Sequence, residues 1–236
     1  MTKVCILQTD NRPSLSYLVK TSECNKMFCN KLGYNYLFLL LDNNKYGNIH
    51  PATKKIYIVN ELLLNSDYDI IVFLDSDAWI QNGNWLKQTV DNLIENQNIH
   101  GCFSRDPYVK KNTFINSGSF IIKNNEYTKN MYKIIIGNLQ TDHSHHNSWP
   151  YDQHYISNYV FENKDNFIVF LPDILNTPIG KILRHNWCKN KKMYDDLNHL
   201  LSTNGENTDK IVFDIKNYID NKPFPNTIPN GYEYFS

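Results

Sequence analysis

Short apolar runs, rich in β-branched and aromatic residues, alternate along this chain with segments of helical spacing. Residues 4–8 (VCILQ) are followed by a helical pattern over residues 17–32, and residues 34–41 (YNYLFLLL) form a second apolar run. Gly33, between them, stands where a helix typically ends in a left-handed turn. A β-α-β order constrains the sheet to be largely parallel, because the intervening helix returns the chain to the same end of the sheet.

The same alternation continues to about residue 171. Helical spacing covers residues 53–64, 84–96, 126–139 and 152–159, and further apolar runs cover residues 68–74, 99–103, 114–123 and 167–171. We expect the run 114–123 to be a strand interrupted by its Asn-Ser-Gly sequence. The pattern predicts an α/β fold with a mixed, mainly parallel central sheet flanked by helices.

The periodic pattern weakens from about residue 189. Pro223, Pro225, Pro229 and Gly231 are typical of irregular structure. We therefore expect residues 193–236 to form an irregular C-terminal tail packed on the body. Because the sequence has neither an internal repeat nor a Gly/Ser-rich linker, we predict a single domain over residues 1–236.

Composition argues against several classes of protein. The 24 Lys and Arg residues balance 24 Asp and Glu residues, whereas nucleic-acid-binding proteins usually carry a basic surplus. No run approaches the roughly 18 apolar residues of a membrane span. The chain starts without a signal-peptide pattern, its five cysteines are odd in number, and no asparagine lies in an Asn-x-Ser/Thr sequon. We therefore expect a soluble, cytoplasmic protein with no nucleic-acid partner and no membrane span.

The strongest strand signal ends directly in two acids. Residues 68–74 (YDIIVFL) are followed at once by Asp75, Ser76 and Asp77. In open α/β sheets, ligands bind beyond the carboxyl ends of the strands. Two carboxylates so close in sequence can share one Mg²⁺ or Mn²⁺ ion that also binds phosphate oxygens. In the competing interpretation, one acid caps a helix and the other is a solvated residue of a turn. A buried strand that leads directly into the pair argues against this interpretation.

Two classes of enzyme carry an Asp-x-Asp pair after a strand. In haloacid-dehalogenase-type phosphatases the first acid is the nucleophile, which usually follows the first strand and precedes a Gly-Thr or similar sequence. In GT-A type glycosyltransferases the pair holds a divalent ion against the diphosphate of a nucleotide-sugar. Here the pair follows about the third strand, and Ala78 and Trp79 come next. This position favours the glycosyltransferase.

Four sequence blocks, in order along the chain, resemble one glycosyltransferase family. They are LDSDAW at 74–79, INSGSF at 115–120, YDQ at 151–153 and RHNWCK at 184–189. Together they resemble the retaining GT-A α-glycosyltransferases of family 34, which include galactosyl-, mannosyl- and xyloglucan xylosyltransferases. The resemblance spans roughly residues 3–190 and implies a GT-A (Rossmann-like) domain. The chain departs from the family in two ways. Tyr151 stands where the family has Asp, and the spacing from His185 to Lys189 is one residue shorter than in the family.

The resemblance also implies roles for individual residues. Asp75, Asp77 and His185 would bind Mn²⁺, with Mg²⁺ as the other possibility, and Asp152 and Gln153 would be the catalytic pair facing the anomeric carbon. The residues implied in binding the donor, for which a UDP-sugar is favoured, are Thr9, Asp10, Asn11, Lys55, Asp75, Ser76, Asn116, Ser117, Gly118 and Lys189. The register leaves Lys54 open as an alternative to Lys55, and Lys191 or Lys192 as alternatives to Lys189.

The implied reaction moves a sugar to a hydroxyl of a glycan, protein or small-molecule acceptor, with retention of the α configuration. Apart from Asp152, the matched blocks contain no carboxylate suited to be a nucleophile, which favours same-face attack over a covalent double displacement. Two alternatives stay open: a phosphatase or phosphotransferase that uses Asp75, and a catalytically silent nucleotide-sugar-binding relative. Residues 143–146 (HSHH) are expected to form a polar loop rather than a metal site.

Overall fold

The computed structural model describes residues 2–109, 114–187 and 192–206. Within these ranges the strands are β1 (Val4–Asp10), β2 (Asn35–Leu40), β3 (Ile70–Leu74), β4 (Ala78–Ile80), β5 (Gly101–Arg105), β6 (Ile115–Lys123), β7 (Phe167–Phe170) and β8 (Leu183–His185). The α-helices are α1 (Ser16–Leu32), α2 (Asn43–Tyr46), α3 (Pro51–Asn65), α4 (Gly83–Glu95), α5 (Glu126–Thr141), α6 (Asp152–Glu162), α7 (Pro172–Leu175) and α8 (Met193–Ser202).

A six-stranded sheet lies at the centre of the fold, in the order β2-β1-β3-β6-β5-β7. β1 pairs in parallel with β2 and β3, and β5 pairs in parallel with β7. β6 is antiparallel to both of its neighbours, β3 and β5. The other five strands therefore run in one direction, which confirms the predicted mixed, mainly parallel sheet.

Helices cover both faces of this sheet. Side chains of successive β1 residues point to opposite faces, so Val4 and Ile6 join one hydrophobic layer whereas Cys5 and Leu7 join the other. The first layer includes buried residues of α1, α4, α7 and α8, and the second includes buried residues of α3, α5 and α6. Because both faces are covered, β1 and β3 read in the sequence as continuous apolar runs.

The run that we expected to be interrupted forms one continuous strand, β6. The irregularity lies instead in the pairing of β6 with β5, where the register shifts between Cys102 and Ser104. A bulge accommodates extra residues on one strand without ending it. The Asn-Ser-Gly sequence therefore lies within an unbroken strand, close to its first residue, Ile115.

The prediction of an irregular tail is wrong for the first ten of its residues, because they form α8. Met193, Leu197 and Leu200 are buried at helical spacing and belong to the same hydrophobic layer as α1. The helix has only ten residues, half of them polar, so this spacing was a weak signal in the sequence. Residues 207–236 of the predicted tail lie outside the described ranges.

Two three-residue strands connect the sheet to the candidate site. β4 begins just after the two acids that follow β3, and it pairs antiparallel with β8, so that Ala78 lies opposite His185. Strands of this length have no periodicity to detect, and the sequence did not reveal them. In the described part of the chain, no helix has both the length and the apolar character needed to span a bilayer.

Candidate active site

Two acids and a histidine face one another where β3 ends. Asp75 and Asp77 follow the last residue of β3, and His185 is the last residue of β8. Nε2 of His185 lies 3.2 Å from Oδ1 of Asp77 and 3.7 Å from Oδ2 of Asp75. The side chains of Asp77 and His185 are buried, whereas that of Asp75 is 31% exposed. Residues from two distant parts of the sequence thus meet at the carboxyl edge of the sheet.

The donor atoms of this group suit a divalent cation. Two carboxylates and an imidazole are ligands that Mn²⁺ accepts. Within the described ranges, no group of three or more His, Cys, Asp or Glu side chains is arranged so that it could hold a metal ion as it stands. The group suits a metal through the chemistry of its donor atoms alone, and metal binding by Asp75, Asp77 and His185 stays a prediction.

The charge on His185 depends on these acids. Burial lowers the pKa of His185, but the carboxylates of Asp77 and Asp75 together outweigh burial and raise the pKa above its usual value. In the absence of a metal, a protonated His185 can therefore pair with Asp77. A metal ion would have to displace that proton, because imidazole binds metals in its neutral form.

Gly118 makes room for the His185 ring. A Cβ atom at position 118 would lie 2.0 Å from Cε1 and 2.1 Å from Nδ1 of His185. The carbonyl oxygen of Gly118 also accepts a hydrogen bond from the backbone N–H of Asp75, at 2.7 Å. The resemblance implied donor binding by Gly118, and in the structure its close neighbour is His185.

A buried lysine lies on the other side of Asp75. Nζ of Lys55, on α3, lies 3.1 Å from Oδ1 of Asp75 and 3.2 Å from Oδ2 of Asp152, and it donates to the carbonyl oxygen of Ser117 at 3.1 Å. Burial opposes the charge of Lys55, but Asp152 and Asp75 outweigh burial and raise its pKa. Lys54 donates instead to Oδ1 of Asn43. Of the two lysines that the sequence left open, Lys55 is the one at the acids.

Asp152 and Gln153 begin α6 and lie against β6. Asp152 is fully buried, and burial raises its pKa to about 6, although Lys55 opposes the shift. Oε1 of Gln153 accepts a hydrogen bond from the backbone N–H of Ser117 at 3.1 Å. The predicted catalytic pair and the predicted donor-binding residues of β6 are therefore in contact.

Asp106, just after β5, is a site residue that the sequence reasoning missed. Its Oδ2 accepts a hydrogen bond from Nδ2 of Asn116 at 3.1 Å, and its Oδ1 accepts one from the backbone N–H of Tyr108 at 2.8 Å. Oδ1 of Asn116 in turn lies 3.2 Å from Nδ1 of His185. An acid directly after a strand, at the sheet edge that also carries Asp75, was the signal that could have revealed it.

Three of the residues predicted to bind the donor, Thr9, Asp10 and Asn11, lie at the end of β1 and just after it. Thr9 and Asp10 are buried, whereas Asn11 is exposed. Oδ1 of Asp10 lies 3.1 Å from Nε of Arg12. β1 is adjacent to β3, so this group shares the carboxyl edge of the sheet with Asp75.

The remaining predicted residues are only partly described. Ser76 is buried between the two acids, and its carbonyl oxygen accepts a hydrogen bond from the hydroxyl of Thr21 at 2.8 Å. Lys189 and its alternative Lys191 lie outside the described residues. The other alternative, Lys192, is exposed and directly precedes α8.

The His-rich stretch packs against the start of α3. The carbonyl oxygen of His146 accepts hydrogen bonds from the backbone N–H of His50 at 3.1 Å and from the hydroxyl of Thr53 at 3.0 Å. The rings of His143 and His146 stack with their centroids 4.5 Å apart. The stretch lies in neither a helix nor a strand, as expected for a loop.

Comparison with known proteins places this geometry in a structural class. Residues 52–160 match the family model described as glycosyl transferase family 2, over a stretch that contains Asp75, Asp77 and Asp152. A glycosyltransferase involved in the glycosylation of the major capsid of PBCV-1 is similar in structure, with a TM-score of 0.64 at 19% identity, over 85% of this chain and 99% of that chain.

Two further solved structures share the architecture. The galactosyltransferase LgtC, in complex with donor and acceptor sugar analogues, has a TM-score of 0.56 at 11% identity, over 86% of this chain and 96% of that chain. The glycosyltransferase GlyE of Streptococcus pneumoniae TIGR4 has a TM-score of 0.52 at 13% identity, over 89% of this chain and 66% of that chain. No curated protein sequence matches the chain.

These matches define the type of fold. The chain has a glycosyltransferase fold of the GT-A type, as the sequence blocks predicted. The family model that matches part of it is that of glycosyl transferase family 2. The comparisons give no support to the phosphatase alternative.

Proposed function

We propose that this protein transfers a sugar from a nucleotide-sugar to an acceptor hydroxyl, in a metal-dependent reaction that retains the α configuration. The observation that carries the proposal is the convergence of Asp75, Asp77 and His185 at the carboxyl edge of a GT-A type sheet. The buried pair of Lys55 and Asp152 borders this group through Asp75. A UDP-sugar is the favoured donor, and the acceptor is a glycan, a protein or a small molecule.

Asp75, Asp77 and His185 would hold Mn²⁺, or Mg²⁺ as the alternative. A bound divalent ion would supply positive charge that stabilises the departing nucleoside diphosphate. The three side chains provide three ligands, fewer than such ions take, which leaves positions for phosphate oxygens. Lys189 remains our prediction for a second positive charge at the diphosphate, with Lys191 and Lys192 as its alternatives.

The donor would lie along the carboxyl edge of the sheet. Thr9, Asp10 and Asn11 at the end of β1 would contact the nucleoside, and Asn116 and Ser117 at the start of β6 would contact the sugar. Both groups are at the edge where ligands bind in sheets of this kind, and β3 with Asp75 lies between them.

The surroundings of Asp152 support retention without a covalent intermediate. Asp152 is buried and lies 3.2 Å from Lys55, which neutralises its charge and weakens it as a nucleophile. Gln153, beside it, has no charge. In the same-face reaction that we propose, the bond from the anomeric carbon to the phosphate oxygen breaks as the acceptor oxygen bonds to that carbon, and the leaving phosphate takes the hydroxyl proton.

A melting experiment with UDP- and GDP-sugars, with and without Mn²⁺, tests the proposal. We expect stabilisation when donor and metal are present together, because a ligand at 100 times its Kd adds about 2.7 kcal/mol to the stability of the folded state. Transfer that continues undiminished in excess chelator would contradict the metal requirement. A phosphomonoester substrate is the control for phosphatase activity, and it should not be hydrolysed.

Proton NMR of the first-formed product tests the stereochemistry. An α-linked donor should give an α-linked product. A β-linked product would overturn retention, and it would restore Asp152 as a general base for an inverting reaction.

A further inference from the structure

We infer that Asp106 is a positioning residue that, through Asn116, fixes which nitrogen of His185 carries the proton. The inference deepens the proposed function, because it concerns how His185 is prepared for a metal ion. It depends on three consecutive polar contacts, from Asp106 to Asn116 and from Asn116 to both Gly118 and His185.

The orientation of the Asn116 amide is determined from two sides. The backbone N–H of Gly118 can only donate, and it lies 2.9 Å from Oδ1 of Asn116. The ionised carboxylate of Asp106 can only accept, and its Oδ2 lies 3.1 Å from Nδ2 of Asn116. A flipped amide would place two donors together at Gly118 and two acceptors together at Asp106. The oxygen of Asn116 is therefore held on the side of Gly118.

That oxygen then selects the tautomer of His185. Oδ1 of Asn116 lies 3.2 Å from Nδ1 of His185, and an amide oxygen can only accept. Nδ1 must therefore carry the proton, and Nε2 of the neutral ring keeps its lone pair. Nε2 is the nitrogen that lies 3.2 Å from Asp77 and 3.7 Å from Asp75. The neutral ring thus presents a metal-binding nitrogen to the two acids.

The opposite tautomer would favour a metal-free site. An N–H at Nε2 would donate to Asp77 and occupy the position where a cation would bind. Second-sphere groups commonly fix metal-binding histidines in this way, by accepting the N–H of the nitrogen that does not bind the metal. Here the accepting group is an amide oxygen, and the amide is itself held by a carboxylate.

Asp106 is suited to hold the amide because its own carboxylate is fixed in place. Each of its two oxygens accepts a hydrogen bond, one from Asn116 and one from the backbone N–H of Tyr108. Asp106 is 5% exposed. Burial raises the pKa of Asp106, and the hydrogen bonds from Tyr108 and Asn116 oppose that shift. Asp106→Ala would leave one side of the Asn116 amide without its partner. The amide could then rotate, and His185 could exchange between tautomers.

Nitrogen-15 NMR of metal-free protein is the direct test. The neutral His185 ring is observed at the alkaline end of a pH series, and its signals are assigned by their loss in His185→Asn. We expect the Nδ1–H tautomer in the unsubstituted protein and a mixture of tautomers in Asp106→Ala. Calorimetry with Mn²⁺ alone should show affinity weakened by about 10- to 100-fold in Asp106→Ala.

Two further variants separate positioning from general damage to the fold. Ser104→Ala, on the preceding strand, removes a buried hydroxyl for which the described residues offer no hydrogen-bond partner, and it should change neither tautomer nor affinity. Asp106→Asn keeps one acceptor oxygen and should fall between the unsubstituted protein and Asp106→Ala, even if Asp106→Ala does not fold.

The outcomes distinguish this inference from the proposed function. An Nε2–H tautomer in the unsubstituted protein would overturn the inference, as would an unchanged tautomer and an unchanged Mn²⁺ affinity in both Asp106 variants. If the tautomer changes as expected but the unsubstituted protein binds no Mn²⁺, the positioning role stands and the proposed metal dependence fails.

Discussion

Asp75 lies between two charged clusters whose charges are balanced in different ways. In the lysine cluster, formed by Lys55 and Asp152, a buried ammonium group faces Asp75 and a second carboxylate. In the histidine cluster, formed by Asp77 and His185, an imidazole faces Asp77 and Asp75. Both cations are almost fully buried, and acids raise the pKa of both.

The difference lies in whether the positive charge is permanent. Lys55 starts from an ordinary pKa of 10.5 that its neighbours raise further, so it stays charged at neutral pH. His185 starts from 6.5, so its proton can be released or replaced by a metal ion. Lys55 therefore keeps its charge at neutral pH with or without a ligand, whereas the charge of the histidine cluster changes with pH and with metal binding.

Lys55→Met should cause the largest loss of stability. It leaves Asp152 buried without its cation, and breaking a buried ion pair from one side costs about 3–5 kcal/mol. Denaturant unfolding followed by circular dichroism measures the loss. The matched control is Lys54→Met, because Lys54 is also buried but donates to the neutral Asn43. Equal losses in the two variants would show that the lysine cluster has no special role.

Asp77→Ala and His185→Ala should affect activity rather than folding. Each removes one proposed metal ligand, and losing a group that stabilises transition-state charge lowers kcat by about 10²- to 10³-fold. Metal-free Asp77→Ala should melt slightly below the unsubstituted protein at neutral pH, because it loses the ion pair between Asp77 and protonated His185. The control is Asp67→Ala, an exposed acid paired with Lys3. Near-normal turnover in either variant would remove that residue from the metal site.

The two clusters were predictable from the sequence to different degrees. Asp75 and Asp77 could be found because the strand that precedes them is a local, strongly apolar signal. The ion pair between Lys55 and Asp152 could not, because it joins residues 97 positions apart and depends on how α3 and α6 pack. Asp106 follows a strand and its place at the sheet edge was readable, but its contact with Asn116 depends on the pairing of β5 with β6.

The fold shows the same division between local and tertiary signals. Strands and helices longer than about five residues carry a periodic pattern, and most of these were predicted within a few residues. β4 and β8 have three residues each, and they are stabilised by pairing with each other. Their existence could not be read from local sequence, although they bring His185 to the acids.

Gly118→Ala should disturb the histidine cluster and leave the lysine cluster in place. The added Cβ would overlap the His185 ring, and overpacking of this kind costs about 1–3 kcal/mol. Mn²⁺ affinity measured by calorimetry should fall as well, because the ring must move. In the control Gly137→Ala, on α5, a Cβ meets nothing within 4 Å, and removing a helical glycine should add about 0.4–1 kcal/mol. A Gly118→Ala protein with normal stability and Mn²⁺ affinity would contradict the close packing of His185 on β6.

The smallest expected effect is a pH dependence that distinguishes the two clusters. Because the folded protein raises the pKa of His185, its protonation stabilises the metal-free fold fully below the unfolded value of about 6.5, and this contribution is lost as pH rises through the folded pKa. The raised pKa of Lys55 moves the corresponding loss above pH 10, outside this window. Burial raises the pKa of Asp152 from 3.8 to about 6, so its ionisation lowers stability as pH rises between these two values, below the window.

The free energy of unfolding is measured against pH for the unsubstituted protein and for His185→Asn. The difference between the two profiles is the contribution of His185 to stability. In metal-free protein the difference in unfolding free energy should decrease from neutral to mildly alkaline pH. With saturating Mn²⁺ the stabilisation should instead increase with pH over the same window, because the metal binds the neutral ring and competes with the proton. Parallel profiles with and without Mn²⁺ would mean that His185 is not a metal ligand.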